Sequence, residues 1–218
     1  MNWEAMFLLF VTLLISLTVH EAAHALFALW GGDRTAYRAG QVSLNPLPHI
    51  RREPFGMIVL PLLTLFATNG NSCFGFAHAP FDPIWAERNP KRAALMSLAG
   101  PLGNFALAAI AFGVLAYVGR ADSANEATVR RIAGTFLYLN LLLGVFNLVP
   151  LPPLDGAGVV RGLVPATRRL FDTIEQIPYS TIVVFVLLSR FVGELFFPIF
   201  LTVNRWLPVP LRGSDLFG

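Results

Sequence analysis

One apolar run contains a tight group of ionisable side chains, and this feature constrains the fold most. Between Met6 and Trp30 the only ionisable residues are His20, Glu21 and His24. The run has no Gly or Pro and is long enough to cross a bilayer, so it predicts a transmembrane helix. Charged groups cost about 3 kcal/mol or more each in hydrocarbon, which makes the cluster a functional-site hypothesis.

The spacing of these residues is HExxH. Four residues advance a helix by little more than one turn, so His20 and His24 lie one above the other on one face. Two imidazoles placed in this way can bind one zinc ion, and Glu21 beside them can act as a general base toward zinc-bound water. The pattern also occurs by chance on ordinary helices, and its position inside a membrane helix is what favours a metal site.

The composition is that of an integral membrane protein. The 218 residues are 55% hydrophobic and 13% charged, whereas soluble domains carry about 25% charged residues. The length predicts a single membrane-embedded domain over residues 1–218. The basic residues lie between the apolar segments, as membrane topology requires, so no nucleic-acid partner is expected. With Cys73 as the only cysteine, a Cys-rich zinc site is excluded.

The apolar segments predict an all-α polytopic fold with a three-helix catalytic core over about residues 3–160. A surface helix and a last transmembrane helix follow over about residues 161–207. Residues 55–68 are apolar but too short for a span, which needs about 20 residues, and they are typical of a re-entrant segment. Residues 37–44 and 74–78 have strand-like patterns and predict short strands near the active-site face. The predicted helices cover residues 3–30, 93–118, 132–149, 161–176 and 179–203.

The third metal ligand is not fixed by the residues alone. A catalytic zinc site takes three protein ligands and a water molecule. Four further side chains near the apolar segments could supply the missing ligand: Asp155, Glu194, His49 and His78. Asp155 ends a span in a Pro-rich stretch, but its position before Gly156 also fits a simple helix cap or turn.

Three signatures resemble those of the site-2 protease family of intramembrane zinc metalloproteases. They are HEAAH at 20–24, AGPLGN at 99–104 and NLVPLPPLDG at 147–156. The loop VSLNPLPHI at 42–50 is similar to the loop after the first motif in compact bacterial members, which lack PDZ and CBS domains. The resemblance covers about residues 15–160 and has all three motifs in the family order.

The resemblance implies a ligand set and a reaction. The Asp of the last signature is the third zinc ligand in that family, which implies Asp155, and the Asn eight residues earlier, here Asn147, faces the substrate. With one Zn²⁺ per chain, zinc-bound water would attack a peptide carbonyl while Glu21 accepts the proton, and zinc and Asn147 would stabilise the oxyanion. Asn45 and Asn104 are further candidates for substrate binding, although Asn104 fits a helix–helix hydrogen bond equally well.

The expected substrate is a transmembrane helix of another membrane protein, cut in regulated intramembrane proteolysis. Asp155 can reach the depth of the two histidines if residues 55–68 re-enter, but not if they span. Re-entry leaves ten Lys and Arg residues on the side of the site and five on the other, against nine and six for spanning. The positive-inside rule therefore favours a site toward the cytosol, in a bacterial inner membrane.

Three other classes of protein fit the sequence less well than a protease. A catalytically inactive scaffold or chaperone that binds membrane helices would be expected to lack a ligand or the base, and none is missing. A zinc or proton transporter would spread its ionisable residues along several helices. A peptidase for soluble peptides would need a soluble domain to form its cleft.

Overall fold

Three long helices form the body of the protein. The computed structural model describes residues 2–178 and 180–217, and every regular element within them is helical. Helices α1 (Trp3–Gly31), α6 (Pro90–Val118) and α7 (Ala124–Asn147) are long and apolar enough to cross a membrane, by length and composition. The 29 residues of α1 or α6 span about 43 Å, more than the hydrocarbon core of about 30 Å. The predicted all-α fold is confirmed.

Local sequence signals set the ends of these helices. Asn2 caps α1, because its side chain accepts a hydrogen bond from Ala5 N at 3.1 Å. At the other end Gly32 adopts φ 101°, a left-handed conformation that glycine tolerates best. Helix α7 begins with a capping box in which Ser123 and Glu126 each accept a backbone hydrogen bond.

The three helices pack antiparallel in sequence order. Arg92 near the start of α6 donates to Gly31 O at the end of α1 (3.1 Å). Glu4 in the first turn of α1 and Arg131 in the second turn of α7 approach within 3.8 Å. Helices α1 and α7 therefore run in the same direction, and α6 runs against both. The last residues of α1 and α7 and the first residues of α6 lie together, and we call this the site end of the bundle.

Two apolar clusters fill the space between the helices. One joins α6 and α7 to the second half of α10 (Ser180–Arg205), where Phe196 is 1% exposed and packs edge-on to Tyr138. The other joins α1 to the following segment through Leu13, Leu17 and Met57. The predicted last helix at 179–203 corresponds to α10, although Tyr179 itself lies outside the described residues.

Short helices connect α1 to α6. They are α2 (Thr35–Arg38), α3 (Pro46–Arg52), a π-helical turn (Phe55–Val59) continued by α4 (Leu60–Ala67), and α5 (Pro83–Arg88).

The segment at 55–82 first runs along α1 toward the N-terminus of that helix, then reverses and returns beside its own first half. Its helical part, Phe55–Ala67, is about 20 Å long and ends where Phe66 meets Trp3 in an edge-on ring contact. The returning chain is extended and bonds to the helix it has just left: Phe74 N donates to Thr64 Oγ1 at 3.0 Å, and Phe76 N donates to Gly56 O at 3.1 Å.

Neither of the predicted short strands forms in the described part of the chain. Tyr37 lies in helix α2, and residues 74–78 are extended, with Phe76 N donating to Gly56 O of the helical part and not to a second strand. Residues 74–78 form no strand because they lie beside a helix. A helix has already used most of its backbone donors and acceptors and cannot supply the hydrogen bonds of a strand ladder.

The chain after α7 forms several short elements before α10. Helix α8 (Asp155–Leu163) packs on the first turns of α6, and α9 (Arg168–Gln176) follows. The predicted continuous surface helix over 161–176 is interrupted because Pro165 cannot continue α8 and instead begins a short 3-10 turn, Pro165–Thr167. The last element, α11 (Ser214–Phe217), lies near the start of α7, where Arg130 and Asp215 approach within 3.4 Å.

Candidate metal centre

The two histidines of α1 face α6 inside the bundle. His20 and His24 are one turn apart, only 6% and 7% exposed, and their Nε2 atoms are 3.0 Å apart. No Gly or Pro interrupts α1 between Trp3 and Trp30, so the helix holds the two rings in a fixed register.

Asp155 completes a group of three donors. It is the first residue of α8, and its Oδ2 lies 3.0 Å from His20 Nε2 while its Oδ1 lies 3.2 Å from His24 Nε2. The structure therefore brings Asp155 to both histidines across a long separation in sequence. It places His49 Nε2 beside Ser43 O at 2.9 Å and His78 beside Glu53 at 3.8 Å.

The outer nitrogen of each imidazole is already bonded. His24 Nδ1 donates to Met96 O at 2.7 Å, and His20 Nδ1 donates to Asn104 Oδ1 at 2.6 Å. Because the Nδ1 atoms carry the protons, both Nε2 lone pairs point at each other and at the Asp155 carboxylate. Three electron-pair donors at this spacing repel one another unless a cation lies between them.

The residues fit a zinc ion. Zinc–nitrogen and zinc–oxygen bonds of about 2.0–2.1 Å in a tetrahedron put neighbouring ligand atoms about 3.3 Å apart. The observed separations of 3.0 to 3.2 Å among His20, His24 and Asp155 are close to that value. One Asp and two His is also a donor set that suits zinc.

Glu21 lies beside this group with a free carboxylate oxygen. The residue is 3% exposed, and a carboxylate oxygen of Glu21 lies within 4.8 Å of a ring nitrogen of His20 and of His24. Its Oε2 is buried and accepts no hydrogen bond from the described residues. A buried acceptor without a donor is costly unless a ligand or water supplies the proton, so this atom is suited to accept one.

Helix α6 leaves room for the centre at Gly100. A Cβ atom built there would lie 2.3 Å from His24 Nε2 and 2.5 Å from His20 Nε2. Only glycine fits at this position. Sequence reasoning placed Gly100 in a family signature but did not predict this contact, and it did not predict that Met96 O would orient His24.

The three predicted Asn side chains have different surroundings. Asn104 is fully buried between α1, α6 and α7 and bonds to His20. Asn147 is the last residue of α7, and its Nδ2 donates to Leu143 O at 3.0 Å. Asn45 caps α3 by accepting from Leu47 N at 3.0 Å. Within the described part of the chain, neither Asn147 nor Asn45 hydrogen-bonds to the three donors.

Comparison with known proteins identifies relatives that are described as peptidases or zinc metalloproteases. Residues 117–189 match Peptidase family M50. The chain is 36% identical over 191 residues to YwhC of Bacillus subtilis, a candidate zinc metalloprotease by its name, which covers 85% of this chain and 82% of YwhC. It is 32% identical over 187 residues to Rip2 of Mycolicibacterium smegmatis, with the same description, covering 84% of this chain and 68% of Rip2. No solved structure matches the chain.

Proposed function

The chain belongs to peptidase family M50, the site-2 protease family, and on that premise we propose that it is an intramembrane zinc endopeptidase. Its substrates would be transmembrane helices of other membrane proteins, cut within the bilayer. The observation that carries this proposal is the convergence of His20, His24 and Asp155 beside Glu21, whose Oε2 has no hydrogen-bond partner among the described residues.

Each residue of the centre has one proposed role. His20 Nε2, His24 Nε2 and an Asp155 carboxylate oxygen would hold one zinc ion. Zinc bound there would polarise a water molecule and the scissile carbonyl and lower the pKa of the water toward neutrality. Glu21 would accept the proton of that water and later give it to the leaving amine.

Asn147 would bind the carbonyl oxygen on which negative charge develops. It lies at the end of α7, eight residues before Asp155. The NH₂ of Asn147 carries two hydrogens, so it can donate one to Leu143 O and the other to a substrate carbonyl. Asn45, an exposed cap on α3, is proposed to contact substrate outside the metal centre.

The path of residues 55–82 supports a re-entrant segment. Arg52 Nε donates to His78 O at 3.2 Å, so the segment begins and ends at the same place, and Asp82 N reaches Asp33 just beyond α1. With this path the site end, which carries the larger number of basic residues, would face the cytosol.

The returning stretch at 73–78 is proposed to hold the substrate. A helix hides its backbone from attack, so a segment must unwind and stay extended before it can be cut. The returning stretch is itself extended, and Phe74 and Phe76 on it are 43% and 39% exposed. A peptide laid alongside could pair with its backbone as an added strand.

The test compares purified wild type with Glu21→Gln. Both are expected to bind one zinc per chain, but only wild type should cut a panel of model transmembrane helices, with the cut inside the apolar segment. Loss of a general base lowers rates by about 10²-fold or more. Glu4→Gln is the matched control, because Glu4 lies on the same helix with an 87% exposed side chain, and it should cut like wild type.

The other outcomes discriminate between functions. Cuts confined to extramembrane loops would contradict intramembrane proteolysis. Zinc in both proteins with no cleavage by either, alongside stable capture of the model helices, would favour the inactive helix-binding scaffold. Absence of zinc from wild type would contradict the metal centre itself.

A further inference from the structure

Asn140 lies in the middle of α7 and has no role in the proposed reaction. It is fully buried, in a helix long enough to cross a membrane, where a polar side chain needs hydrogen-bond partners. Its Oδ1 accepts from Asn104 Nδ2 at 2.9 Å, and its Nδ2 donates to Phe136 O at 3.0 Å. Asn104 in turn contacts the metal-ligand candidate His20.

The two histidines differ in how their protons are fixed. His24 Nδ1 faces Met96 O, a backbone carbonyl that can only accept, so His24 must carry its proton on Nδ1. His20 Nδ1 faces the side-chain amide of Asn104, which could present either its oxygen or its nitrogen. If the amide turned over, its NH₂ would donate to Nδ1, the His20 proton would move to Nε2, and that nitrogen could not bind metal.

The orientation of the Asn104 amide depends on the hydrogen bonds that its Nδ2 makes on the side away from His20. Its Nδ2 lies 2.9 Å from Asn140 Oδ1 and 3.4 Å from Ser16 O. The contact with Asn140 is the shorter one. Asn140 presents its oxygen there because its own NH₂ is held by the Phe136 carbonyl, which cannot donate.

We propose that Asn140 is a positioning residue that sets the tautomer of His20 through Asn104. Each hydrogen bond in this series has its donor on the His20 side: His20 Nδ1 donates to Asn104, Asn104 Nδ2 donates to Asn140, and Asn140 Nδ2 donates to Phe136 O. Because His20 then carries its proton on Nδ1, its Nε2 lone pair is free and points toward the centre. This inference deepens the proposed function, on which its significance for catalysis rests. It assigns α7 a part in preparing a ligand that α1 supplies.

The test has a readout that needs no metal and no proteolysis. In metal-free protein with ¹⁵N-labelled histidine, the nitrogen chemical shifts report which atom of neutral His20 carries the proton. For this readout wild type and every variant also carry Asp155→Ala, because Asp155 Oδ2 lies 3.0 Å from His20 Nε2 and would itself accept a proton from that nitrogen. The His20→Asn variant identifies the signal among the four histidines. Wild type should show the Nδ1–H form, and Asn140→Leu should show a mixture of both forms.

Zinc affinity is the second readout, measured by competition with a chromophoric chelator. Asn140→Leu should bind zinc about tenfold more weakly, the lower end of the effect of removing an outer hydrogen-bond partner. Asn140→Asp should recover the affinity of wild type, because a buried, protonated carboxyl keeps an acceptor for Asn104 and an O–H for Phe136 O. Thr135→Val is the matched control, since Thr135 is buried on the same helix and its hydroxyl donates within that helix, to Arg131 O at 2.9 Å.

The outcomes separate this proposal from the proposed function. The wild-type tautomer and zinc affinity in Asn140→Leu would overturn the role of Asn140, and so would an Nε2–H form in wild type. A tautomer shift in Asn140→Leu, reversed in Asn140→Asp, supports the role even if wild type binds no zinc, which would overturn the protease instead. Helix content and unfolding temperature identify any variant that fails to fold. If Asn140→Leu fails to fold, the tautomer of His20 in Asn140→Asp decides whether Asn140 has this role.

Discussion

Gly100 is the residue of α6 that lies against both His20 and His24, the proposed histidine ligands. We expect Gly100→Ala to lose zinc, because the added methyl would lie 2.3 Å from His24 Nε2 and 2.5 Å from His20 Nε2. Affinity should fall at least tenfold, as for loss of other groups around a metal. The measurement is bound zinc per chain after dialysis against a chelator.

Gly113 provides the control on the same helix. A Cβ atom built there has nothing within 4 Å, so Gly113→Ala should bind zinc like wild type. Alanine favours a helix over glycine by about 1 kcal/mol, so neither substitution should weaken α6 by itself. Equal zinc affinity in the two variants would contradict the steric account of Gly100.

The sequence supports prediction of His20, Glu21 and His24 because helical spacing alone puts them together. The outer contacts of the imidazoles could not be predicted in the same way. Met96 O is a backbone atom that any residue at that position would supply, and its approach to His24 depends on how α6 packs against α1. For Asn104 and Asn140 the available signal was an Asn within a span, which indicates that each has a hydrogen-bond partner without saying which.

Helix α8 carries Asp155 to the centre by packing closely on α6. The contact is made through Gly158, where an added Cβ would lie 2.3 Å from Ser97 Oγ and 2.9 Å from Ser97 Cβ. Its far end is tied to α9 because Arg161 donates to Glu175 at 2.8 Å. The position of Asp155, the proposed third ligand, thus depends on how two helices fit together.

Gly158→Ala should therefore weaken zinc binding without touching a ligand. The methyl would push α8 away from α6 and carry Asp155 from the histidines, and a fall in zinc affinity of about tenfold is expected. The double variant Gly158→Ala with Ser97→Gly restores the space and should recover the affinity. Failure of the second change to rescue the first would show that α8 is not positioned by this contact.

Asp33 joins the end of α1 to the chain just before α5. It is buried and accepts hydrogen bonds from Thr35 Oγ1 at 2.6 Å, Thr35 N at 2.8 Å and Asp82 N at 2.8 Å. Burial opposes ionisation of the carboxyl, but these hydrogen bonds outweigh it and hold the pKa of Asp33 below its usual range.

A lowered pKa in the folded protein makes this contact sensitive to acid. Its contribution to stability is complete above the ordinary carboxyl pKa of about 3.9 and is lost as the pH falls through the lower folded-state pKa. Asp33→Ala should reduce the free energy of unfolding at neutral pH by about 1–3 kcal/mol. Chemical denaturation over a pH series should show the difference from wild type shrinking in acid, and a difference that is constant with pH would contradict this account.

Element boundaries were predicted well at the end of α1, but α7 begins at Ala124, behind the Ser123 capping box, eight residues before the predicted start at 132. The end of α1 follows from Gly32, and the predicted and observed helices agree there to within a residue. The strand prediction at 74–78 rested on alternation alone, which cannot reveal that the neighbouring chain is helical. The prediction of one helix across Pro165 followed the amphipathic spacing. It was wrong because proline has no N–H to continue the helix.

The whole molecule has a site end and an opposite end, and its orientation can be tested. After replacement of Cys73 by Ala, single cysteines at exposed Arg51, Glu87 or Asp122 can be labelled with a membrane-impermeant thiol reagent. We expect Arg51→Cys and Glu87→Cys to react from the cytosolic side and Asp122→Cys from the other, in sealed vesicles of known orientation. Reaction of Arg51→Cys and Glu87→Cys from opposite sides would show that residues 55–68 span the membrane.

The metal centre joins residues from opposite parts of the chain, and this has a consequence for biosynthesis. His20, Glu21 and His24 enter the membrane with the first helix, whereas Asp155 leaves the ribosome on the order of ten seconds later. On the proposed topology, until α6 and α7 have inserted and α8 has docked, the nascent protein has His20, Glu21 and His24 but lacks the proposed third ligand. A protease assembled in this order would stay inert beside the other helices in the insertion machinery until its own fold is complete.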